Sequence, residues 1–565
     1  MEQLHQILNL THRHNVYMQE RVDLIAANSW VSEFARLTMC SLLANSYCIG
    51  LPGNRLYSGC AYIDMIEREV VRLVHRLFGM KHAVVQFLSG MQANIGAFNA
   101  ILEPGDTVLS APTRLGGHYS HNAQGPLRFF APRIVPIPFD NARYNVDVER
   151  LAGVMEKERP KLLILGWSEF LFPHPLAEIR ELCDRNEVRL MYDMSHVAGL
   201  IAGKVFQPDA SRYADVITSS TGKSLHAPDH GMVLFNDRSL MEGVLDAVMP
   251  LLTSNTHPHE MAAVGVALAE AEQFGGRYAS QVVSNSKALA AALHERGLKV
   301  LYGDLGYTES HIILVEFPAP DIAVSLFDRA GVMCNACELP WDREGQATGL
   351  RFGTQVVTRR GMKEPEMERI AEAIGNVLVE YKNPDRVAYE IVYPLGENLD
   401  RAAFSFDFHF PAEGGWYDAP YRGFQLKDAV EILGVLLPFA NCTVEEIEGL
   451  VDISRLLTVE REVILFEAGA PADAVFFVSS GVVEVVDRSG EKEIVIASLG
   501  EGSHVGELGV MTGHTRSYDV RVKGGSRLLH MEGDDFKAML QRLPRVREYF
   551  EKYVASLHHR VFEGW

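Results

Sequence analysis

Five stretches of this 565-residue chain read as strands, and several of them are apolar runs with no alternation of polar and apolar residues. They are His82–Phe87, Leu162–Gly166, Arg189–Asp193, Ala214–Thr218 and Met232–Asn236. A strand with one wet face alternates; a strand covered on both faces does not. Helical patterns separate these runs as far as about residue 382, including one near Ala93–Ile101 and another over Met362–Tyr381. Strands alternating with helices predict an α/β layer structure.

Open α/β sheets place ligands beyond the C-terminal ends of their strands, so residues at those ends carry the functional argument. The run Ala214-Asp-Val-Ile-Thr-Ser-Ser-Thr-Gly-Lys223 is a strand that gives way to small residues and delivers a lysine. Shielding from water disfavours the charged form of a lysine, and a neutral lysine can form an imine with an aldehyde cofactor. Leu190-Met-Tyr-Asp193 ends a second strand in a carboxylate, which can hold a proton on a pyridine nitrogen. Ser89-Gly90 opens a helix whose free N–H groups suit a phosphate. Arg351, in Thr348-Gly-Leu-Arg351-Phe-Gly-Thr354, can clamp a carboxylate. Aldehyde, ring nitrogen, phosphate and amino-acid carboxylate are together the needs of a pyridoxal phosphate site. Taken singly, each residue has a structural reading: surface lysine, strand-end cap, ordinary N-cap, ion-paired arginine.

Composition narrows the partners. A formal net charge of −20 opposes binding to nucleic acid or to anionic membranes. No apolar run is long enough to span a bilayer, and Met1-Glu-Gln-Leu-His is not a signal peptide. Seven cysteines in so long a chain make no disulfide framework, so the chain is expected to be cytoplasmic. Cys334-Asn-Ala-Cys337 has metal-site spacing without a second pair and is read as two buried, inert thiols. His118/His121 and His257/His259 have no complementary ligands in sequence, and no metal is expected.

The composition changes near Asn383. Residues 383–427 mix Pro, Gly, Asp and aromatics, including Phe404, Phe406, Phe408, Trp416 and Tyr417, and are read as a connector packed on a neighbour. A second domain is expected over 428–565, after a first over 1–382. Thr443-Val-Glu-Glu446 is a capping box that predicts a helix ending near Leu457. Short strands with glycine turns follow to Met531, then a helical tail, as in a small β-roll. In Val505-Gly506-Glu507-Leu508-Gly509 and Arg516-Ser517, the glutamate can accept a hydrogen bond from a ribose hydroxyl and the arginine can pair with a phosphate.

With these pieces in hand, residues of about 15–380 resemble serine hydroxymethyltransferases, enzymes of the fold-type-I pyridoxal phosphate class, which implies an α/β fold of three α/β/α layers with a small C-terminal α+β subdomain. The likeness runs in order through Gly50-Leu-Pro-Gly-Asn-Arg-Leu-Tyr-Ser-Gly-Cys60, Ser89-Gly-Met-Gln-Ala-Asn94, Gly116-Gly-His118, Asp193-Met-Ser-His-Val-Ala-Gly-Leu-Ile201 and Gly349-Leu-Arg351. It implies that Lys223 holds the cofactor and Asp193 faces its ring nitrogen. It implies that His118 stacks on the ring, that Ser168 and His196 meet the ring oxygen, and that Ser89 and Gly90 hold phosphate. Arg351 would bind the carboxylate of a small amino acid. Tyr47 and Tyr57 match active-site tyrosines that the family supplies across a homodimer interface. About residues 430–550 resemble cyclic-nucleotide-binding domains, with Gly506, Glu507, Leu508, Arg516 and Ser517 in the phosphate–ribose segment. Cyclic AMP and cyclic GMP both stay open as effectors, and Tyr518-Asp519 depart from that family's pattern. The activator branch of these domains raises a transcription-factor reading, but the residues after Asp535 leave no room for a helix-turn-helix.

The departures decide the expected reaction. Ile49 stands where the hydroxymethyltransferases carry a proton-transferring glutamate, and Ala27-Asn28-Ser29 replaces a Ser-Glu-Asn. Gly222 precedes the lysine in place of histidine, Asp229 replaces an arginine, and Met91 replaces a phosphate-contacting serine. The expectation is folate-independent aldol or retro-aldol chemistry, as an aldolase or transaldolase. A tetrahydrofolate-dependent hydroxymethyltransferase is the alternative, and a non-catalytic sensor of cofactor and nucleotide is the third reading.

Overall fold

The computed structural model describes residues 2–130, 133–396, 402–406, 439, 450, 453–488, 493–500 and 502–562. Its contacts divide the chain into two units, Met1–Phe408 and His409–Trp565.

The first unit is built on a seven-stranded sheet. Its strands are β1 (His82–Phe87), β2 (Thr107–Ser110), β3 (Arg133–Pro136), β4 (Leu162–Leu165), β5 (Arg189–Asp193), β6 (Val216–Ser220) and β7 (Gly231–Phe235). The order across the sheet is β1-β7-β6-β5-β4-β2-β3, with β7 antiparallel to both neighbours and the other pairings parallel. Side chains along each strand alternate between two cores. Val84, Leu162, Ile164, Met191, Val216 and Val233 join Phe98 of the helix Gly90–Ile101 on one face. Val85, Leu163, Leu165, Leu190, Tyr192, Ile217 and Leu234 join the helices Ala61–Phe78 and Pro258–Glu295 on the other. Both faces are apolar, which is why the sequence shows runs in place of alternation. A buried Leu, Ile or Val contributes about 1.5–3 kcal/mol relative to its exposed state.

A smaller antiparallel sheet follows. It has the strands β8 (Lys299–Val300), β9 (Ile312–Glu316), β10 (Asn335–Cys337) and β11 (Gly349–Gly353), in the order β8-β9-β11-β10. The helix Glu364–Leu378 packs on it through Met367, Ile370, Ala371 and Ile374. Helical turns over Pro384–Val387, Ala388–Val392 and Tyr393–Gly396 add Val387, Ile391, Val392 and Leu395 to the same core. The first residues of the expected connector are therefore ordered helix. Phe404 and Phe406 pack on Tyr278 and Phe274 of the long helix, while Phe408, Trp416 and Tyr417 lie outside the described residues.

The second unit holds two four-stranded antiparallel sheets. They contain β12 (Ser454–Val459), β13 (Val463–Phe466), β14 (Ala474–Ser480), β15 (Val483–Asp487), β16 (Ile494–Leu499), β17 (His504–Val505), β18 (Asp519–Val522) and β19 (Ser526–Glu532). One sheet runs β12-β19-β14-β17 and the other β13-β18-β15-β16. Helices Gly533–Arg542 and Pro544–Phe562 follow.

Four sequence expectations need correction, the first being the strand read as Leu162–Gly166, which ends at Leu165 before the left-handed Gly166. The helix expected to end near Leu457 gives way before Ser454, because residues 454–459 pair along their whole length with β19. The start of that helix at Thr443 lies outside the described residues. The strand read as Ala214–Thr218 runs from Val216 to Ser220, since Ser219 and Ser220 continue the ladder opposite Met232 and Gly231. The strand read to Asn236 ends at Phe235, whose partner His82 opens β1. Cys334 and Cys337 are buried free thiols, and burial pushes Cys334 up to about 12. No cluster of metal ligands occurs among the described residues, and no helix among them is long and apolar enough to cross a membrane.

Candidate active site

The C-terminal ends of β1, β5 and β6 open into one cavity of about 330 Å³. Ser89, Gly90, His118, Ser168, Asp193, His196 and Lys223 all line it, so the sequence-predicted cofactor residues converge. Two glycines make this convergence possible. A Cβ at Gly90 would meet the Ser220 side chain at 2.8 Å, so only glycine lets the helix start touch the end of β6. Gly166 has a φ of +89°, and a Cβ there would lie 1.9 Å from the Asp193 carbonyl oxygen. Ser89 caps the helix Gly90–Ile101, its Oγ accepting from the Gln92 N–H at 3.3 Å.

Asp193 is buried at the end of β5 and saturated with donors. Asn94 Nδ2 donates to Oδ2 at 2.9 Å, and His121 Nε2 lies 3.1 Å from the same oxygen. The Ser195 N–H and hydroxyl both donate to Oδ1, at 2.9 and 2.5 Å. Burial alone would raise this carboxyl; His121, Ser195 and His118 outweigh it and hold it well below the usual carboxylate range. The aspartate is thus a fixed anion. His121, which the sequence offered as half of a metal pair, is its partner.

Lys223 stands three residues beyond β6 with a left-handed φ of 53°. Burial lowers its ammonium pKa and Arg351 adds to this, against the pull of Asp193 and Asp229. Burial also pushes His118 down to about 4, and its Nδ1 lies 2.7 Å from Ser120 Oγ. His196 is lowered well below its ordinary value by burial and by the Lys223 and Arg351 charges. Its ring stacks on His311, and its Nδ1 has no partner among the described residues. Two neutral imidazoles therefore face the cavity. The carboxylate of Asp229 also lines the cavity, where Ser220 Oγ donates to it at 3.1 Å.

Arg351 lies in the middle of β11. Its Nε donates to Asn335 Oδ1 at 3.1 Å, and its Nη1 donates to the Ser168 carbonyl at 3.2 Å and to Glu169 Oε1 at 2.9 Å. Tyr47 and Tyr57 are not in the cavity. They are exposed and pack edge to face on each other at 5.7 Å, with the Tyr47 hydroxyl 3.5 Å from Ser254 Oγ. Ile49 sits beside them at the base of a two-stranded turn, its carbonyl accepting from Leu56 N–H at 2.9 Å. Asn28 is engaged structurally, its Nδ2 donating to Asp23 at 2.9 Å.

Sequence reasoning missed Asn94, Ser195 and Glu169. Asn94 had a signal: it is a polar residue four positions after Gly90, on the buried side of an apolar helix. Glu169 had none, since its partner is 182 residues away.

In the second unit Gly506, with φ +93°, caps the short helix Glu507–Thr512. Glu507 and Arg516 are both buried; Leu508 is half-buried and Ser517 exposed. Arg516 Nη1 donates to the Gly506 carbonyl and Nη2 to the Ala474 carbonyl, each at 2.8 Å, and the guanidinium stands 4.2 Å from the Phe466 ring centre. Its Nη2 also reaches Asp473 Oδ1 at 3.3 Å, while its Nε has no hydrogen-bond partner among the described residues; Glu507 Oε2 lies 3.2 Å from His504 Nδ1 without a well-aligned hydrogen bond. Asp519 is occupied elsewhere: its Oδ1 accepts from Ala468 N–H at 2.7 Å and its Oδ2 lies 3.2 Å from Arg488.

Comparison with known proteins agrees with both halves. The serine hydroxymethyltransferase family model matches residues 1–374 and the cyclic nucleotide-binding domain model matches residues 456–543. The serine hydroxymethyltransferase of Methanosphaera stadtmanae is 39% identical over 389 residues, 68% of this chain and 92% of that protein. That of Archaeoglobus fulgidus is 39% identical over 415 residues, covering 72% and 94%. Among solved structures, an L-threonine transaldolase from Pseudomonas fluorescens superposes with a TM-score of 0.67 at 29% identity, over 73% of this chain and 96% of that one.

Proposed function

Because the chain belongs to the serine hydroxymethyltransferase family, we propose that it is a pyridoxal phosphate enzyme that makes or breaks the Cα–Cβ bond of β-hydroxy amino acids without folate. The observation that carries this reading is Ile49, an apolar residue at the place of the family's proton-transferring glutamate, in a chain whose cofactor cavity is otherwise assembled. The transaldolase likeness supports it.

The cavity fits the cofactor. It offers a lysine of lowered pKa, a fixed carboxylate, a capped helix start and an unpartnered imidazole nitrogen. Lys223 would hold the aldehyde carbon, Asp193 the ring nitrogen, His118 a ring face, and Ser89 with Gly90 the phosphate. Bound there, pyridoxal phosphate is the electron sink that stabilises negative charge at the substrate's α-carbon. The chain's own groups do the rest. Arg351 orients the substrate through its carboxylate. The proton leaving the β-hydroxyl needs an acceptor that is unprotonated at neutral pH, and His118, at about 4, meets that condition. Tyr57 completes the site from a second copy in a homodimer.

Steady-state cleavage of a β-hydroxy amino acid such as threonine should proceed without tetrahydrofolate and change less than about twofold when it is added. Losing a general acid or base costs about 10²–10⁴-fold. Folate-linked turnover should therefore lie at least about a hundredfold below that of an enzyme that keeps the glutamate, and Ile49→Glu should raise it. Strong stimulation of serine cleavage by tetrahydrofolate in the wild type would overturn the reading.

The second domain is proposed to bind a cyclic nucleotide, with Arg516 Nε as the donor left for the phosphate and Glu507 as the acceptor for ribose. Calorimetric titration should give saturable binding of cyclic AMP or cyclic GMP to the full chain, weakened at least about tenfold by Arg516→Gln, the scale of a charge-assisted hydrogen bond. No heat with either nucleotide would leave the domain a structural one.

A further inference from the structure

The guanidinium assigned to the substrate already has an anion. Glu169 follows Ser168 directly, is buried, and places Oε1 2.9 Å from Arg351 Nη1. Arg351 Nη1 also donates to the Ser168 carbonyl, and Nε donates to Asn335. Of the three guanidinium nitrogens, only Nη2 has no hydrogen-bond partner from the chain among the described residues. Carboxylates grip arginine best through two parallel N–H···O bonds, and here one arm of each possible fork is taken. Burial, with a smaller push from the nearby Glu338 charge, raises the Glu169 carboxyl, and Arg351 pulls it back. The Glu338 oxygens are themselves tied to the Thr113 hydroxyl at 2.7 Å and the Gly345 N–H at 2.5 Å. The charge around Arg351 is thus balanced before any substrate arrives.

We propose that Glu169 is a specificity-determining residue that competes with the substrate's α-carboxylate for Arg351, so that amino acids are held weakly at that end. The inference rests on the reading of Arg351 as the carboxylate site. A second carboxylate brought to the same guanidinium meets the Glu169 charge at a largely buried ion pair, where like charges repel more strongly than in water. The amine and β-substituent must then supply more of the binding.

The test compares two ligands on the cofactor-loaded full chain by calorimetry: serine, and ethanolamine, which keeps the amine and hydroxyl without the carboxylate. Wild type should prefer serine by less than about tenfold, below the scale of one full charge-assisted bond. Glu169→Gln keeps an acceptor on Nη1 while removing the charge, and should tighten serine at least about tenfold with ethanolamine changed less than threefold. Glu169→Leu should move serine in the same direction. Serine affinity unchanged or weakened in Glu169→Gln, or both ligands shifted together, overturns the proposal. A wild-type preference well above tenfold does so even if neither variant folds. Arg351→Gln separates the two levels. If it leaves serine binding intact, the assignment of Arg351 fails; if it weakens serine and Glu169→Gln does not tighten it, only the role of Glu169 fails.

Discussion

Lys223→Gly should abolish turnover and leave a more stable protein. The loss follows from the role proposed for Lys223: the variant would have no amine to hold the cofactor's aldehyde and none to carry a proton at the α-carbon, so kcat should fall by at least about 10³-fold, within the range expected when a general acid–base group is removed. The gain follows from conformation. Lys223 has a φ of 53°, in the left-handed region, where a residue with a Cβ pays about 1–2 kcal/mol and glycine does not. Burial adds to the cost by disfavouring the ammonium. Lys223→Ala removes the amine but keeps the Cβ, so it isolates the backbone share. Denaturant unfolding of the cofactor-free proteins should rank Lys223→Gly above Lys223→Ala by about 1 kcal/mol, with both lacking the visible absorbance of bound cofactor. Equal stability for glycine and alanine would mean that the turn stores no strain. Activity retained in either variant would remove Lys223 from the mechanism.

How much of this was written locally in the sequence differs from residue to residue. The sheet was legible because its two cores fall on alternate residues of the same runs, as with Leu162 and Leu163. Strand ends were less so. The end of β6 depends on a partner: Ser219 and Ser220 are poor strand formers that β7 holds in register. At Leu457 a local helix signal lost to pairing with β19, for the same reason. The positions of Lys223, Asp193 and Ser89 were legible, since strand-end chemistry is a local pattern. What completes the site was not. Asp193 is held by Asn94, 99 residues away, and by His121 across the sheet. Arg351 is paired with a glutamate from the loop after β4, 182 residues away. Such contacts exist only once the topology has brought the strand ends together.

The same burial that keeps the site's histidines neutral should make the first unit acid-labile, and His174 is where this can be read. Its neutral ring is pinned at both nitrogens. Nδ1 donates to Asn145 Oδ1 at 2.8 Å, and Nε2 accepts from the Gly166 N–H at 3.3 Å. A proton on Nε2 would set two donors face to face beside the cavity glycine. Burial pushes His174 down to about 3 from an ordinary 6.5. The unfolded chain therefore takes up the proton first as pH falls. The contribution of His174 to stability is complete above about pH 6.5 and drains away between there and about pH 3, at about 1.4 kcal/mol per pH unit. His311, also at about 3, and His118, at about 4, act in the same direction. Buried carboxyls whose values are raised by burial, such as Glu67 and Glu270, oppose them, because the folded chain binds those protons first. The total slope is thus a difference of terms, whereas a single-residue change in slope is not. His174→Gln keeps a donor and an acceptor and never ionises. Urea unfolding followed by tryptophan fluorescence should show the variant less stable at pH 7, with a pH dependence between about 6 and 4 flatter than wild type by about 1.4 kcal/mol per unit. Trp167 reports on the event directly, since its ring lies 4.4 Å from that of His174. Parallel curves for the two proteins would show that His174 carries its proton in the folded state, and that the Gly166 contact is not what keeps this end of the cavity in place.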